Sequence, residues 1–413
     1  MKTQTIFLLA FACSILNSCG NNVPKMETGG QKMPDEWIDK DTGHKIIKLT
    51  RREGTNMSFY FHNNPFIGNK MVFSGGSDYK GKDIAGREIY NFDGRDLQMY
   101  WVDLKTLKIH QLTHETFPVR TEIVCPKTKE IFYQQKDTIF ALNTHSHEKR
   151  LVYAHDTPNE RFSITTVNAD GTLLAGAFSN PEEGEILKKY PQKSQFFDRI
   201  YDAHLPRTLF TIDTKTGELN RIYTENAWLN HIQFSPTDPH LLMFCHEGPW
   251  HKVDRIWTID VVRCNKPQLQ HKRTMDMEIA GHEWFGRKGD AIYFDLQKPR
   301  GKTFFVAKTD LATGKETTYS LTRDEWSVHY TTSWDEKLLA GDGGDSTSVA
   351  KAKNGKWIYL FKPEGDKLIS TRLVNMKNHN YHLEPNVHFS PDDKWVIFRA
   401  NFEGQENVYA IEI

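Results

Sequence analysis

One pattern recurs along this chain at intervals of about 40 to 65 residues, and a repeat of that length restricts the fold more than any single motif does. A polar turn holding Gly, Asp or Asn precedes an apolar run of strand-forming residues, and a second strand ending in a tight turn follows. The first run of each unit is read at residues 68–73, 129–133, 170–175, 241–244, 289–294, 335–340 and 396–398. The second is clearest at 100–104, 209–213 and 306–310; the latter two lead into Thr216-Gly217-Glu218 and Thr313-Gly314-Lys315. Period-two alternation between Gly- and Asp-bearing turns marks hairpins. A charged, aromatic stretch at 181–202 interrupts them with room for a short helix. Seven four-stranded units arranged radially predict an all-β, seven-bladed β-propeller, which leaves only short edges unpaired. Closure requires the chain ends to meet, and the strand at 407–413 is expected to pair with that at 45–50.

The start of the chain reads as an address. Lys2 precedes an apolar stretch too short to span a bilayer, and Leu16-Asn17-Ser18-Cys19 fits a lipoprotein cleavage site. Residues 1–19 are thus expected to be a signal peptide, with Cys19 the lipidated first residue and the only link to a membrane. Residues 20–40 are expected to form a flexible tether, most polar over 20–35, and 41–413 a single propeller domain. The expected location is the periplasm or cell surface. Three later cysteines, Cys125, Cys245 and Cys264, are an odd number without a CxxC pair, which argues against a disulfide framework. Lys and Arg together number 53, as do Asp and Glu. No global field therefore selects nucleic acid, and an acidic ligand needs a local basic site.

Propellers bind ligands where loops and innermost strands converge on the axis, so polar residues at strand ends are the candidates. His246 closes an apolar run and leads into Glu247-Gly248-Pro249-Trp250. Arg255 opens the next strand. Gly281-His282-Glu283-Trp284 sets an imidazole beside a glycine and an aromatic ring, and His329-Tyr330 takes the corresponding place one unit later. The stretch from Asn380 to Phe389 then places polar residues at alternate positions.

These segments resemble the oligogalacturonate lyase family of β-propellers, which degrade short pectin fragments. The resemblance rests on residues 226–231, Phe244-Cys245-His246-Glu247-Gly248-Pro249, Val253-Asp254-Arg255-Ile256-Trp257, Gly281-His282-Glu283-Trp284 and Gly341-Asp342-Gly343-Gly344-Asp345. It implies that His282 is the general base and that Arg255 holds or neutralises the substrate carboxylate. It also implies a divalent cation, typically manganese, with one ligand at His329. The remaining ligands fall in a Gln-x-x-His-x-His pattern, where this chain carries Tyr381, Glu384 and Asn386. Glu and Asn suit a hard cation such as manganese, calcium or magnesium, whereas a neutral tyrosine is a poor ligand. His379, His382 and His388 lie nearby. The site is either a remodelled cation site or a metal-free one.

The implied chemistry is β-elimination on an acidic oligosaccharide. The C5 proton beside a carboxylate is weakly acidic, so the carboxylate must be neutralised and a base set near C5. A neutral imidazole suits that role, and Arg255 or a cation beside His282 is expected to disfavour its protonation. His246 is a candidate hydrogen-bond donor to substrate, and Trp250, Trp284 and Tyr330 are candidate stacking surfaces. Two other readings stay open: a lyase for glucuronate or rhamnogalacturonan fragments, and a non-catalytic sugar-binding propeller.

Overall fold

A computed structural model of the chain describes residues 23–77, 80–82, 88–90, 96–157, 160–348 and 350–413. The signal peptide and Cys19 lie outside the described residues. The chain folds into successive antiparallel sheets, propeller-like in arrangement. Four-stranded sheets span 123–154, 161–225 and 229–269, after a five-stranded sheet within 55–111. An eight-stranded sheet over 279–375 consists of two four-stranded halves joined by one parallel pair, Ser320 with Lys367. In the final sheet the strand Lys45–Lys48 pairs with the C-terminal strand Asn407–Glu412, in the register Ile46 to Ile411.

The hairpins are set by one local device. Asp213 turns its side chain onto the backbone N–H groups of Lys215 and Thr216, and Gly217 then adopts φ 73°. The carboxylate supplies the turn's acceptor, and glycine carries the left-handed residue without a Cβ penalty. Asp103 and Asp260 accept the same pair of bonds in their own hairpins. Between sheets the apolar faces meet; Phe132 of one sheet packs with Phe162, Phe178 and Phe210 of the next. Strands covered on both faces lose the alternation of a half-exposed strand, and every residue of Ile279–Phe285 and Ala291–Gln297 is buried.

Three expectations are corrected. First, the predicted runs are second strands. A further strand precedes each of them, for example Thr55–Met57, Ile123–Cys125, Leu229–Phe234, Ile279–Phe285 and Tyr330–Thr332. Second, residues 23–40 are no tether. Lys25–Met26 pairs with Glu36–Asp39, Trp37 is fully buried, and Asp39 accepts from Thr28 Oγ1 at 2.6 Å. Asp39 also makes the hairpin turn, accepting from Asp41 and Thr42. Third, the insertion holds two helices, α1 (Pro181–Lys189) and α2 (Lys193–Asp202). Asn180 caps the first, and Pro181 begins it where no backbone donor is needed.

Candidate active site

The functional side chains come from the inserted first strands and their neighbours. Between Gly281 and Trp284 the strand register shifts, and His282 sits in the bulge at φ 46°. His231 occupies the matching bulge of the preceding sheet, at φ 47°. Such bulges turn one side chain out of the pleat. Gly281 is required beside it, because a Cβ there would lie 2.8 Å from the Trp250 ring.

His282 is anchored from the adjacent strand, its Nδ1 lying 2.8 Å from Asp295 Oδ1. The carboxylate holds the proton on Nδ1 and leaves Nε2 as the acceptor. Burial alone would depress this imidazole's pKa. The charge and hydrogen bond of Asp295, with Glu384 adding to them, reverse that and raise it above the ordinary 6.5, and Arg255 does not offset them. Arg255 does depress it, as expected, but Asp295 and Glu384 outweigh that effect.

His329 repeats the arrangement one unit on. Its Nδ1 lies 2.8 Å from Asp342 Oδ2, and its backbone N–H donates to Asp342 Oδ1, also at 2.8 Å. Its Nε2 faces the Tyr60 hydroxyl at 3.2 Å and Glu384 Oε2 at 3.7 Å. The His282 and His329 rings meet edge to face with centroids 4.8 Å apart. Tyr60 also neighbours His231, whose pKa burial pushes down to about 4.

Arg255 is not free to take a substrate carboxylate. It is 1% exposed, with Nε 2.8 Å from Glu283 Oε2 and Nη1 2.8 Å from Glu247 Oε1. Two carboxylates on one guanidinium leave the cluster without surplus positive charge; only Nη2 lacks a hydrogen-bond partner. His246 lies on a second strand, not at the axis; its Nε2 is 3.1 Å from Glu225 and its ring stacks on Trp257. Trp284 is buried and stacked on Tyr293. Tyr330 is fully buried, its hydroxyl accepting from Ser327 N–H and donating to the Glu325 carbonyl. Neither aromatic presents an exposed face. Trp250 does stand at the site, 5.2 Å edge to face from His282.

The expected cation ligands are not brought together. The Tyr381 hydroxyl donates to the Asp342 carbonyl at 3.1 Å. Asn386 Oδ1 accepts from Phe61 N–H and its Nδ2 donates to the Glu384 carbonyl, both at 3.0 Å. Of the four, only His329 and Glu384 converge. His379 and His388 bond backbone groups, including the Leu383 and Asn63 carbonyls. Among the described residues no group of three or more His, Cys, Asp or Glu is placed to hold a metal ion. The donor set present therefore does not fit the implied cation.

Sequence reasoning missed Tyr60, Asp295 as the anchor of His282, and the helix α2. The anchors had a signal, since His282 to Asp295 and His329 to Asp342 share one spacing of 13. Two cavities flank the paired imidazoles. One, of about 610 Å³, is lined by Tyr60, Glu122, His231 and Glu384. The other, of about 490 Å³, is lined by His282, Trp250 and residues of α2.

A family model described as oligogalacturonate lyase matches residues 31–413. The chain is 24% identical over 393 residues to the oligogalacturonate lyase of Dickeya dadantii, covering 91% of this chain and 95% of that one. It is 23% identical over 406 residues to the oligogalacturonide lyase of Pectobacterium atrosepticum, covering 93% and 98%. Among solved structures it is similar to an oligogalacturonate lyase in complex with manganese, with a TM-score of 0.74 and 25% identity over 94% of this chain and 98% of that one.

Proposed function

This chain belongs to the oligogalacturonate lyase family, and from that premise we propose that it cleaves oligogalacturonides by β-elimination with His282 as the base. It is a carbon–oxygen lyase of the kind that acts on polysaccharide fragments. The observation that carries the assignment of the base is the His282–Asp295 pair at the edge of a cavity. Asp295 fixes the tautomer, so Nε2 of the cavity-lining His282 is the nitrogen that can accept a proton. The C5–H bond gives its electrons to a C4–C5 double bond, the C4–O4 bond breaks, and the proton passes to Nε2. Solvent or a protein group returns a proton to the leaving oxygen. The products are a shortened oligosaccharide and a 4,5-unsaturated uronate. Trp250, beside His282, offers an apolar surface to the sugar ring.

Manganese is named in a solved relative, and a bound cation would supply Lewis-acid neutralisation of a carboxylate. Tyr381 and Asn386 are committed to other partners here and do not complete a ligand set for it. That altered segment also favours a second reading, a lyase for another uronic-acid oligosaccharide. A panel of galacturonate, glucuronate and rhamnogalacturonan fragments, followed by ultraviolet absorbance of unsaturated product, separates the two.

We also infer seven blades. The halves of the eight-stranded sheet count separately because one parallel pair joins them, and the Lys45–Lys48 strand closes the last blade. Residues 1–19 are read as an export signal, with Cys19 anchoring the mature protein at the periplasmic or outer face. Cys19→Ala should move the protein from the membrane fraction to the soluble exported fraction; unchanged membrane retention would remove the anchor.

A further inference from the structure

Elimination from a uronate requires positive charge at the carboxylate, and the two sources implied by family resemblance are both compromised here. Arg255 is neutralised by Glu247 and Glu283, and the cation's ligands are dispersed. Charge must then come from elsewhere within reach of His282.

The cavity that His282 lines has such a source. Lys193 of α2, Lys252 from the turn after Trp250, and Arg300 from the hairpin after Gln297 all line it. All three side chains are exposed, and none forms an ion pair with a described residue. Against them stand Asp198 and Asp295, and Asp295 is already bound to His282. The companion cavity is different, since Arg120 and Arg399 there face Glu122 and Glu384. Arg120 lies 3.3 Å from Glu122, and Arg399 donates to two backbone carbonyls. One cavity is charge-balanced; the other holds an excess of cations beside the base.

The position of Lys193 is built, not incidental. Phe197 of α2 packs on Trp228 at 5.3 Å, and Tyr201 lies so close to Gly248 that a Cβ there would be 2.4 Å from its ring. The first contact seats the helix beside the strand that begins at Leu229, and the second seats it on the loop that carries Trp250. Lys193 is near enough to Glu384, across the paired imidazoles, for its charge to help lower that carboxyl's pKa.

We propose that this cavity is the subsite for the substrate carboxylate, and that Lys193, Lys252 and Arg300 neutralise it directly in place of a metal ion. The inference rests on the lyase reading and adds a specificity. The preferred substrate is a galacturonate oligomer with free carboxylates, and its methyl ester is a poor one.

The test uses the mature protein, the Lys193→Met/Arg300→Met double variant, and trigalacturonate as free acid and as methyl ester. Each cation should contribute about tenfold to kcat/KM for the acid. The double variant should therefore lose about a hundredfold on the acid while changing little on the ester. The wild-type preference for acid should weaken as salt is raised. Elemental analysis should find no stoichiometric manganese or calcium, and chelation should leave the rate unchanged. A double variant with intact acid preference overturns the proposal, as does one bound metal per chain whose removal abolishes activity. If wild type forms no unsaturated product from any uronate, the lyase reading fails. The cavity is then judged by calorimetric titration of trigalacturonate: affinity lost in the double variant keeps the subsite, and equal affinity removes it. Both substituted side chains are exposed, so melting temperatures should match.

Discussion

Two neighbouring imidazole–carboxylate pairs share sequence spacing and hydrogen-bond length, yet their surroundings differ. His282 is held by Asp295 and His329 by Asp342, each at 2.8 Å. His282 is 8% exposed and lines a cavity with its second nitrogen unclaimed; His329 is fully buried, its second nitrogen turned to Tyr60 and its ring stacked on Phe61 at 4.7 Å. The local motif sets the tautomer of both. What faces Nε2 decides whether the imidazole can meet a substrate proton or serves to hold the centre of the site together.

The largest expected effect tests the first half of that contrast. His282→Ala should lower kcat/KM by about 10³-fold or more, the range of a lost general base, and because Asp295 is also buried it should lose some stability as well. His329→Ala should lose stability with a much smaller effect on rate. It leaves the buried Asp342 carboxylate without its imidazole and opens a void, at a cost of about 3 kcal/mol in denaturant unfolding. If the two variants exchange these signatures, the roles are reversed.

Asp295→Asn sharpens the contrast through pH. Because the His282 pKa is raised and the base must be unprotonated, kcat/KM should rise with pH through a midpoint above 6.5. Removing the Asp295 charge should move that midpoint to lower pH and reduce the plateau by about 10²-fold, since the tautomer is no longer fixed. A midpoint that does not move would mean that Asp295 does not control this base. The smallest effect concerns the segment once expected to bind metal. Tyr381→Phe removes one buried hydrogen bond to the Asp342 carbonyl and should cost about 1 kcal/mol, with activity and chelator response unchanged. A selective loss of activity there would restore Tyr381 to the site.

Much of this was legible in the sequence, and the errors share one physical cause. Hairpins announced themselves through Asp turns such as Asp213-Thr214-Lys215-Thr216-Gly217. The innermost strands did not, because several span only two or three residues, too few to show a period. Overlooking them shifted the inner edge outward by one strand. That shift put His246 at the axis and exposed Trp284 and Tyr330, which the structure buries. The amino-terminal hairpin carries the same signal, since Asp39-Lys40-Asp41-Thr42-Gly43 repeats the turn signature of Asp213 and Gly217. His282 and His329 could be found because strand ends and one spacing marked them. Tyr60 and Lys193 could not, for they reach the site from a first strand's end and from a helical insertion distant in sequence.

Elimination across C4 and C5 of a galacturonate, with His282 as base, stands or falls on one activity. Ultraviolet absorbance recorded while the mature protein and its His282→Ala variant act on trigalacturonate tests it most directly. The wild type should give a rising signal of 4,5-unsaturated product and the variant a near-flat trace. Equal rates from the two, with both proteins folded, would contradict it.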